Sequence, residues 1–264
     1  MRLFPLPLIP GGDVAGKIVK VWSKVTRLHI GDEVYGDLSA CGRGSFAEYV
    51  CAPETVLEKK PKNLSMSESA GVPEASLVAL QWLERVGNIQ SGQNVLIHGS
   101  SGGIGSFMVQ IARMFWAHVT AVSSTRNKDL VRSLWAEKVI DYTKEDFAKN
   151  SEKYDLILTT RGYRWIMDFV NSLKTGGTYV TCGWEVSQFF QTILLGPVIS
   201  LFTRKRIKPL ILKTNVWLDR MTAWIENGDI RPLIDREYSL EEVGKALEYV
   251  EAWHARGKVI IKIR

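Results

Sequence analysis

The run His98-Gly99-Ser100-Ser101-Gly102-Gly103-Ile104-Gly105 limits the fold of this 264-residue chain more than any other segment. It follows the apolar run Asn94 to Ile97 and precedes SFMVQIARMF, whose apolar positions recur at helical spacing. A strand entering a helix through clustered glycines has a physical use. Gly102 lets backbone approach a pyrophosphate, Gly105 lets the helix lie close to the strand, and the helix start offers free N–H groups and positive dipole. Ser100 occupies the first glycine position of G-x-G-x-x-G, so the motif reads S-x-G-x-x-G. An ordinary strand-to-helix turn does not need so many glycines.

Strand and helix patterns alternate from there. NVLIH, HVTAVSS, KVIDY, DLILTT, TYVTCG and KPLILK read as strands, and GIGSFMVQIARMF and NKDLVRSL as helices. The pattern predicts an α/β fold with a doubly wound parallel sheet of Rossmann type. Residues 13–56 differ: DVAGKIVKV, GDEVYG and GSFAEYVCAP are short turn-punctuated strand candidates of a β-rich unit. Ser65 and Glu68 have capping-box spacing before a helical stretch, and SLEEVGKALEYVEAW and GKVIIKI predict a final helix and strand.

The end of the second strand selects the dinucleotide. NAD sites place an acid there to hold the ribose 2′-hydroxyl. Here the sequence is Ser123-Ser124-Thr125-Arg126-Asn127-Lys128, and Asp129 reads as a first-turn helix acid. Ser124, Arg126 and Lys128 suit a 2′-phosphate, so NADPH is the expected cofactor.

The rest of the sequence excludes other classes. Three cysteines without a C-x-x-C pair exclude a disulfide framework and fit a cytoplasmic setting. The net charge of +6 is spread along the chain without basic-aromatic patterning, so no nucleic-acid partner is expected. FFQTILLGPVISLF, followed by RKRIK, is too short for stable membrane insertion. It reads as a flap or a contact in a homodimer, with an anionic bilayer surface as the alternative.

The segments PGGDVAGKIVKV, GDEVYGDL, GSFAEYV, VPEASLVALQ, VLIHGSSGGIG, VIDYT, LKTGGTYV and HARGKVII occur in one order. With them the chain resembles the zinc-free, quinone-oxidoreductase-like branch of the medium-chain dehydrogenase/reductase superfamily. The resemblance implies NADPH-dependent reduction of a quinone, enone or related carbonyl compound. It implies a GroES-like substrate domain over residues 1–68, partial because relatives have strands before PGGDVAG. A Rossmann domain over 69–215 and a returning segment over 216–264 complete the expected organisation. The expected cofactor residues are Ser100, Ser101, Gly102, Gly103, Ile104, Gly105, Ser124, Arg126 and Lys128. Tyr142, Gly162, Cys182 and Gly183 join them through the resemblance. No catalytic acid stands out, and an NADPH-binding protein without turnover is the alternative reading.

Zinc-dependent relatives carry G-H-E where this chain has Gly11-Gly12-Asp13, so Gly12 replaces the imidazole ligand and no zinc is expected. Arg161 stands where an apolar residue is usual. Six tryptophans, at 22, 82, 116, 135, 184 and 253, stand where relatives usually have glycine. Some bacteria read UGA as glycine while another translation table reads it as tryptophan, so UGA codons are expected at these positions. Crowding or strain is expected at Trp116 and Trp135, which follow helices.

Overall fold

The computed structural model describes residues 9–162, 164–181, 186–209, 212–252 and 255–263. Cys182, Gly183, Trp184, Trp253 and His254 lie outside the described residues. The chain forms two compact units, the first from Met1–Leu77 and Lys213–Arg264 and the second from Val78–Leu212.

Strands β1 (Asp13–Lys17), β2 (Glu33–Asp37) and β3 (Leu57–Lys59) form an antiparallel sheet in the first unit. The expected strand GSFAEYVCAP is absent there, and β2 takes Leu57–Lys59 as its second neighbour instead. The backbone of Gly44, Ser45 and Phe46 bonds back to Pro10 and Gly11, which turns the segment away from a ladder. Helix α1 (Met66–Ala70) starts in the expected capping box, with the Glu68 N–H on Ser65 Oγ and the Ser65 N–H on Glu68 Oε2. After Gly71 and Val72 comes α2 (Pro73–Gln81), which widens into a π turn over Trp82–Val86. Trp82 is fully buried with its indole N–H unpartnered, and a π turn accommodates such a volume at the expense of regular packing. The contacts of α1 with β1 move the start of the second unit past the expected residue 69.

The second unit runs β4 (Asn94–His98), α3 (Gly103–Met114), β5 (His118–Ser123), α4 (Lys128–Ser133) and β6 (Lys138–Asp141). It continues with β7 (Tyr154–Thr159), α5 (Ile166–Ser172), β8 (Leu173–Thr181), α6 (Val186–Thr203) and β9 (Arg206–Pro209). The six strands are parallel in the order β6-β5-β4-β7-β8-β9. Strand order therefore reverses beside β4, the point where open α/β sheets bind ligands beyond their carboxyl ends. Leu96, Val122, Ile140, Phe147, Phe169 and Tyr179 belong to the core of this sheet. Each fully buried aromatic or aliphatic side chain there contributes about 1.5–3 kcal/mol. The core fixes the strand ends from which the site is built.

The chain then returns to the first unit through α7 (Leu218–Glu226), β10 (Ile234–Ser239), α8 (Val243–Glu251) and β11 (Lys258–Lys262). β10 pairs in parallel with β11.

Candidate nucleotide-binding site

The loop from Gly99 to Gly102 leaves the carboxyl end of β4 and enters α3 with Gly102 as its N-cap. Its glycines do different work. Gly99 has φ +84°, and a Cβ there would lie 2.5 Å from Thr160 Oγ1. At Gly105 a Cβ would lie 2.2 Å from the Gly99 carbonyl oxygen, so the start of α3 presses directly on the loop. Gly102 would meet only the Gly99 carbonyl, at an ordinary 3.6 Å. The protein itself does not need Gly102 bare. That leaves its surface, beside the unpaired N–H groups of the helix start, for an incoming anion.

Ser100 is buried and belongs to the loop's foundation: its N–H and hydroxyl both donate to the Val122 carbonyl, at 3.2 and 2.9 Å. Ser101, Gly102, Gly103 and Ile104 are half-buried, and Gly105 is buried. On the other side of β4, Thr160 Oγ1 donates to the carbonyls of His98 and Gly99, both at 3.1 Å. His98 Nδ1–H donates to the Arg161 carbonyl at 2.6 Å, and its ring meets Phe147 and Phe169 edge-on. Burial pushes its pKa down to about 4, so the ring is neutral near pH 7. Gly162, at φ +87°, lies close enough to His98 that a Cβ would sit 3.0 Å from its Cε1.

The β5 end joins this loop through a residue that sequence reasoning missed. Asn127 is buried, and its Nδ2 donates to Ser101 Oγ at 2.9 Å while its Oδ1 has no partner. Ser124 and Lys128 beside it are half-buried, and Arg126 is exposed. Tyr142 is exposed at the end of β6, with its N–H on the Ser123 carbonyl at 3.1 Å. The structure thus places the phosphate loop, Ser124, Arg126, Lys128 and Tyr142 after the carboxyl ends of the neighbouring strands β4, β5 and β6. Cys182 and Gly183 lie outside the described residues.

Asp141 is the second missed residue. It pairs in register with Ser123, and its carboxylate accepts from the Thr125 hydroxyl at 2.6 Å and the Thr143 hydroxyl at 2.7 Å. Those hydrogen bonds hold its pKa below the usual carboxylate range. Its oxygens point to threonine hydroxyls sixteen and two residues away in sequence, so no local motif signals the cluster.

Where zinc-dependent relatives carry the ligand histidine, a Cβ on Gly12 would lie 2.8 Å from Ser39 Oγ, and the neighbouring Asp13 pairs with Lys258 at 3.0 Å. Among the described residues, no three His, Cys, Asp or Glu side chains are grouped to hold a metal. The first unit also carries a groove of about 740 Å³ lined by β1, Phe46, Tyr49, Met66 and β11. It contains none of the expected cofactor residues.

Residues 1–62 match the alcohol dehydrogenase GroES-like domain family, and residues 134–261 match the zinc-binding dehydrogenase family. The chain is 34% identical over 267 residues to the chloroplastic NADPH-dependent alkenal/one oxidoreductase of Arabidopsis thaliana. That alignment covers 97% of this chain and 64% of the relative's length. The chloroplastic quinone-oxidoreductase homolog of Spinacia oleracea is 33% identical, with 97% of this chain and 80% of the relative covered. The quinone oxidoreductase structure from Coxiella burnetii superposes with a TM-score of 0.87 at 28% identity, covering 97% of this chain and 79% of that one. The same glycine loop, parallel strand order and family matches lead to one assignment: the chain belongs to the medium-chain dehydrogenase/reductase superfamily, in its quinone-oxidoreductase-like branch.

Proposed function

We propose that the second unit binds NADPH and that the chain reduces a quinone, enone or related carbonyl compound by hydride transfer. The observation that carries this reading is the open surface at Gly102, at the start of α3 and at the strand-order reversal. Glycines 99 and 105 hold that surface in place, and the helix N–H groups meet a pyrophosphate there. Ser101 through Gly105 form the cradle, with Ser100 anchoring it to β5. Ser124, Arg126, Lys128 and Tyr142 form the 2′-phosphate end, with Gly162, Cys182 and Gly183 assigned to the nicotinamide end. Asn127 Oδ1, buried and unpartnered, has an acceptor to offer a bound nucleotide.

Bound NADPH would supply the hydride. This chain's residues bind and orient: charge-assisted hydrogen bonds from Arg126 and Lys128 contribute about 1.5–3 kcal/mol each toward a 2′-phosphate. Asp141 keeps its charge turned onto Thr125 and Thr143, which fixes the turn carrying Arg126. The thiols Cys41 and Cys51 fit a cytoplasmic setting.

Steady NADPH oxidation with a benzoquinone or an enone acceptor tests the reading. Turnover that survives a chelator is expected. NADPH binding without turnover on either acceptor class contradicts the reductase reading and favours a binding protein.

A further inference from the structure

The serines around the start of α3 differ in where their hydroxyl hydrogens go. Ser100 Oγ donates to the Val122 carbonyl at 2.9 Å, and Ser106 Oγ to the Gly103 carbonyl at 3.0 Å. Ser101 Oγ instead accepts, from Asn127 Nδ2 at 2.9 Å, and donates to no protein group among the described residues. Its hydrogen is left for an outside acceptor. Ser101 also stands directly before Gly102, the N-cap of α3, where the first N–H groups of the helix are unspent.

Asn127 forgoes other bonds to make this one. It is 5% exposed and is the N-cap of α4, a position where asparagine normally accepts from a first-turn N–H. Its side chain makes no cap bond, and its Oδ1 has no partner. A missing cap and an unsatisfied buried acceptor both lower stability. The stability of α4 therefore does not explain this asparagine, whereas its reach to a loop 26 residues away does. The backbone holds it there, with its N–H on the Ser124 carbonyl at 3.0 Å.

An amide N–H donated into a hydroxyl oxygen turns the hydroxyl hydrogen away from the amide and strengthens it as a donor. At the positive end of a helix, the acceptor that suits such a donor is an anionic oxygen. Given nucleotide binding by the second unit, we propose that Asn127 is a positioning residue that aims the Ser101 hydroxyl at a pyrophosphate oxygen. The same bond ties the turn carrying Arg126 to the phosphate loop, so both ends of the site are held by one connected set of bonds.

Titration with NADPH and with adenosine 2′-monophosphate, which lacks the pyrophosphate, tests this in the full chain. Ser101→Ala and Asn127→Ala should each weaken NADPH roughly tenfold, the loss of one charge-assisted bond. Together they should weaken it by much less than the product of the two, because Asn127 acts through Ser101. Ser101→Ala should leave adenosine 2′-monophosphate binding unchanged, which shows that the second unit is still folded. Ser101→Thr keeps the hydroxyl and should recover most of the NADPH loss. Losses that multiply in the double variant overturn the proposal, as does an equal loss of both ligands in Ser101→Ala. NADPH affinity unchanged in Ser101→Ala contradicts this proposal alone, whereas a parent chain that binds neither ligand contradicts nucleotide binding and the proposal with it.

Discussion

The two ends of α3 ask the backbone for the same freedom and receive different residues. At its start, Gly99 takes φ +84° and Gly105 packs against the Gly99 carbonyl. At its end, Trp116 takes φ +57°. Its N–H bonds the Arg113 carbonyl at 2.8 Å and the Ala117 N–H bonds the Ala112 carbonyl at 3.2 Å. That pair of bonds is a Schellman turn, which normally has glycine at this position. The end of α7 makes the same two bonds, Gly228 to Ile225 and Asp229 to Trp224, with glycine at φ +81°. Hydrogen bonding alone therefore does not need glycine, and the tryptophan leaves strain in the backbone of about 1–2 kcal/mol.

Trp135 repeats the case after α4, at φ +69° with its N–H on the Arg132 carbonyl. Of the crowding or strain expected at these two positions, the structure shows strain in φ without crowding: Trp116 is 80% exposed and Trp135 40% exposed. Each indole swings into solvent, so the cost is in φ and not in packing. Trp217, at φ +75° before α7, is a third instance outside the six expected positions.

The largest effect is expected at the start of α3. Gly105→Ala would place a methyl 2.2 Å from a carbonyl oxygen, a collision with backbone that cannot move freely. It should cost about 3 kcal/mol in denaturant unfolding and abolish nucleotide binding. Gly102→Ala, with an ordinary 3.6 Å contact, should leave stability nearly unchanged and still weaken NADPH. Equal stability losses for the two would break the distinction between scaffold and contact glycines.

Acid should also act on this end of the helix. The folded pKa of His98 is lowered to about 4 against an unfolded value near 6.5, so the unfolded chain binds the extra proton between those values. Stability should fall as pH drops from about 6.5 to about 4, by at most about 3 kcal/mol from this residue. His98→Gln should flatten that part of the pH profile. A profile as steep as the parent's would remove His98 as the cause.

Smaller gains are expected at the helix ends. Trp116→Gly should raise stability by about 1–2 kcal/mol. Trp135→Gly should gain less, because Arg113 lies over the Trp135 ring at 4.4 Å and that contact is worth about 0.5 kcal/mol. UGA codons at positions 22, 82, 116, 135, 184 and 253 would make the glycine forms the natural ones, whereas UGG codons would contradict that reading. Loss of stability on both replacements would show that the tryptophans are accommodated without strain.

Much of the second unit was legible because its signals are local: apolar runs, helical periods and a glycine loop occur in the order in which they pack. The capping box at Ser65 and Glu68 was legible for the same reason. β10 was missed because IDREYS has little apolar alternation and is a strand through its pairing with β11. Asp141 and Asn127 were missed because parallel pairing and loop contact bring them to residues distant in sequence. The apolar run of α6 was visible, but only burial reveals which residues face inward: Gln188, Thr192 and Gly196, with Leu195 and Ile199 packed on the sheet core.

The central claim is that the β5 and β6 ends select the 2′-phosphate. Fluorescence titration of the protein and of Arg126→Ala with Lys128→Ala, each with NADPH and NADH, tests it directly. NADPH should bind the parent about two to four decades more tightly than NADH, from two charge-assisted bonds. The double variant should lose most of that preference while its NADH affinity changes little. Equal affinities in the parent, tighter NADH binding, or an equal loss of both nucleotides in the variant would contradict the account.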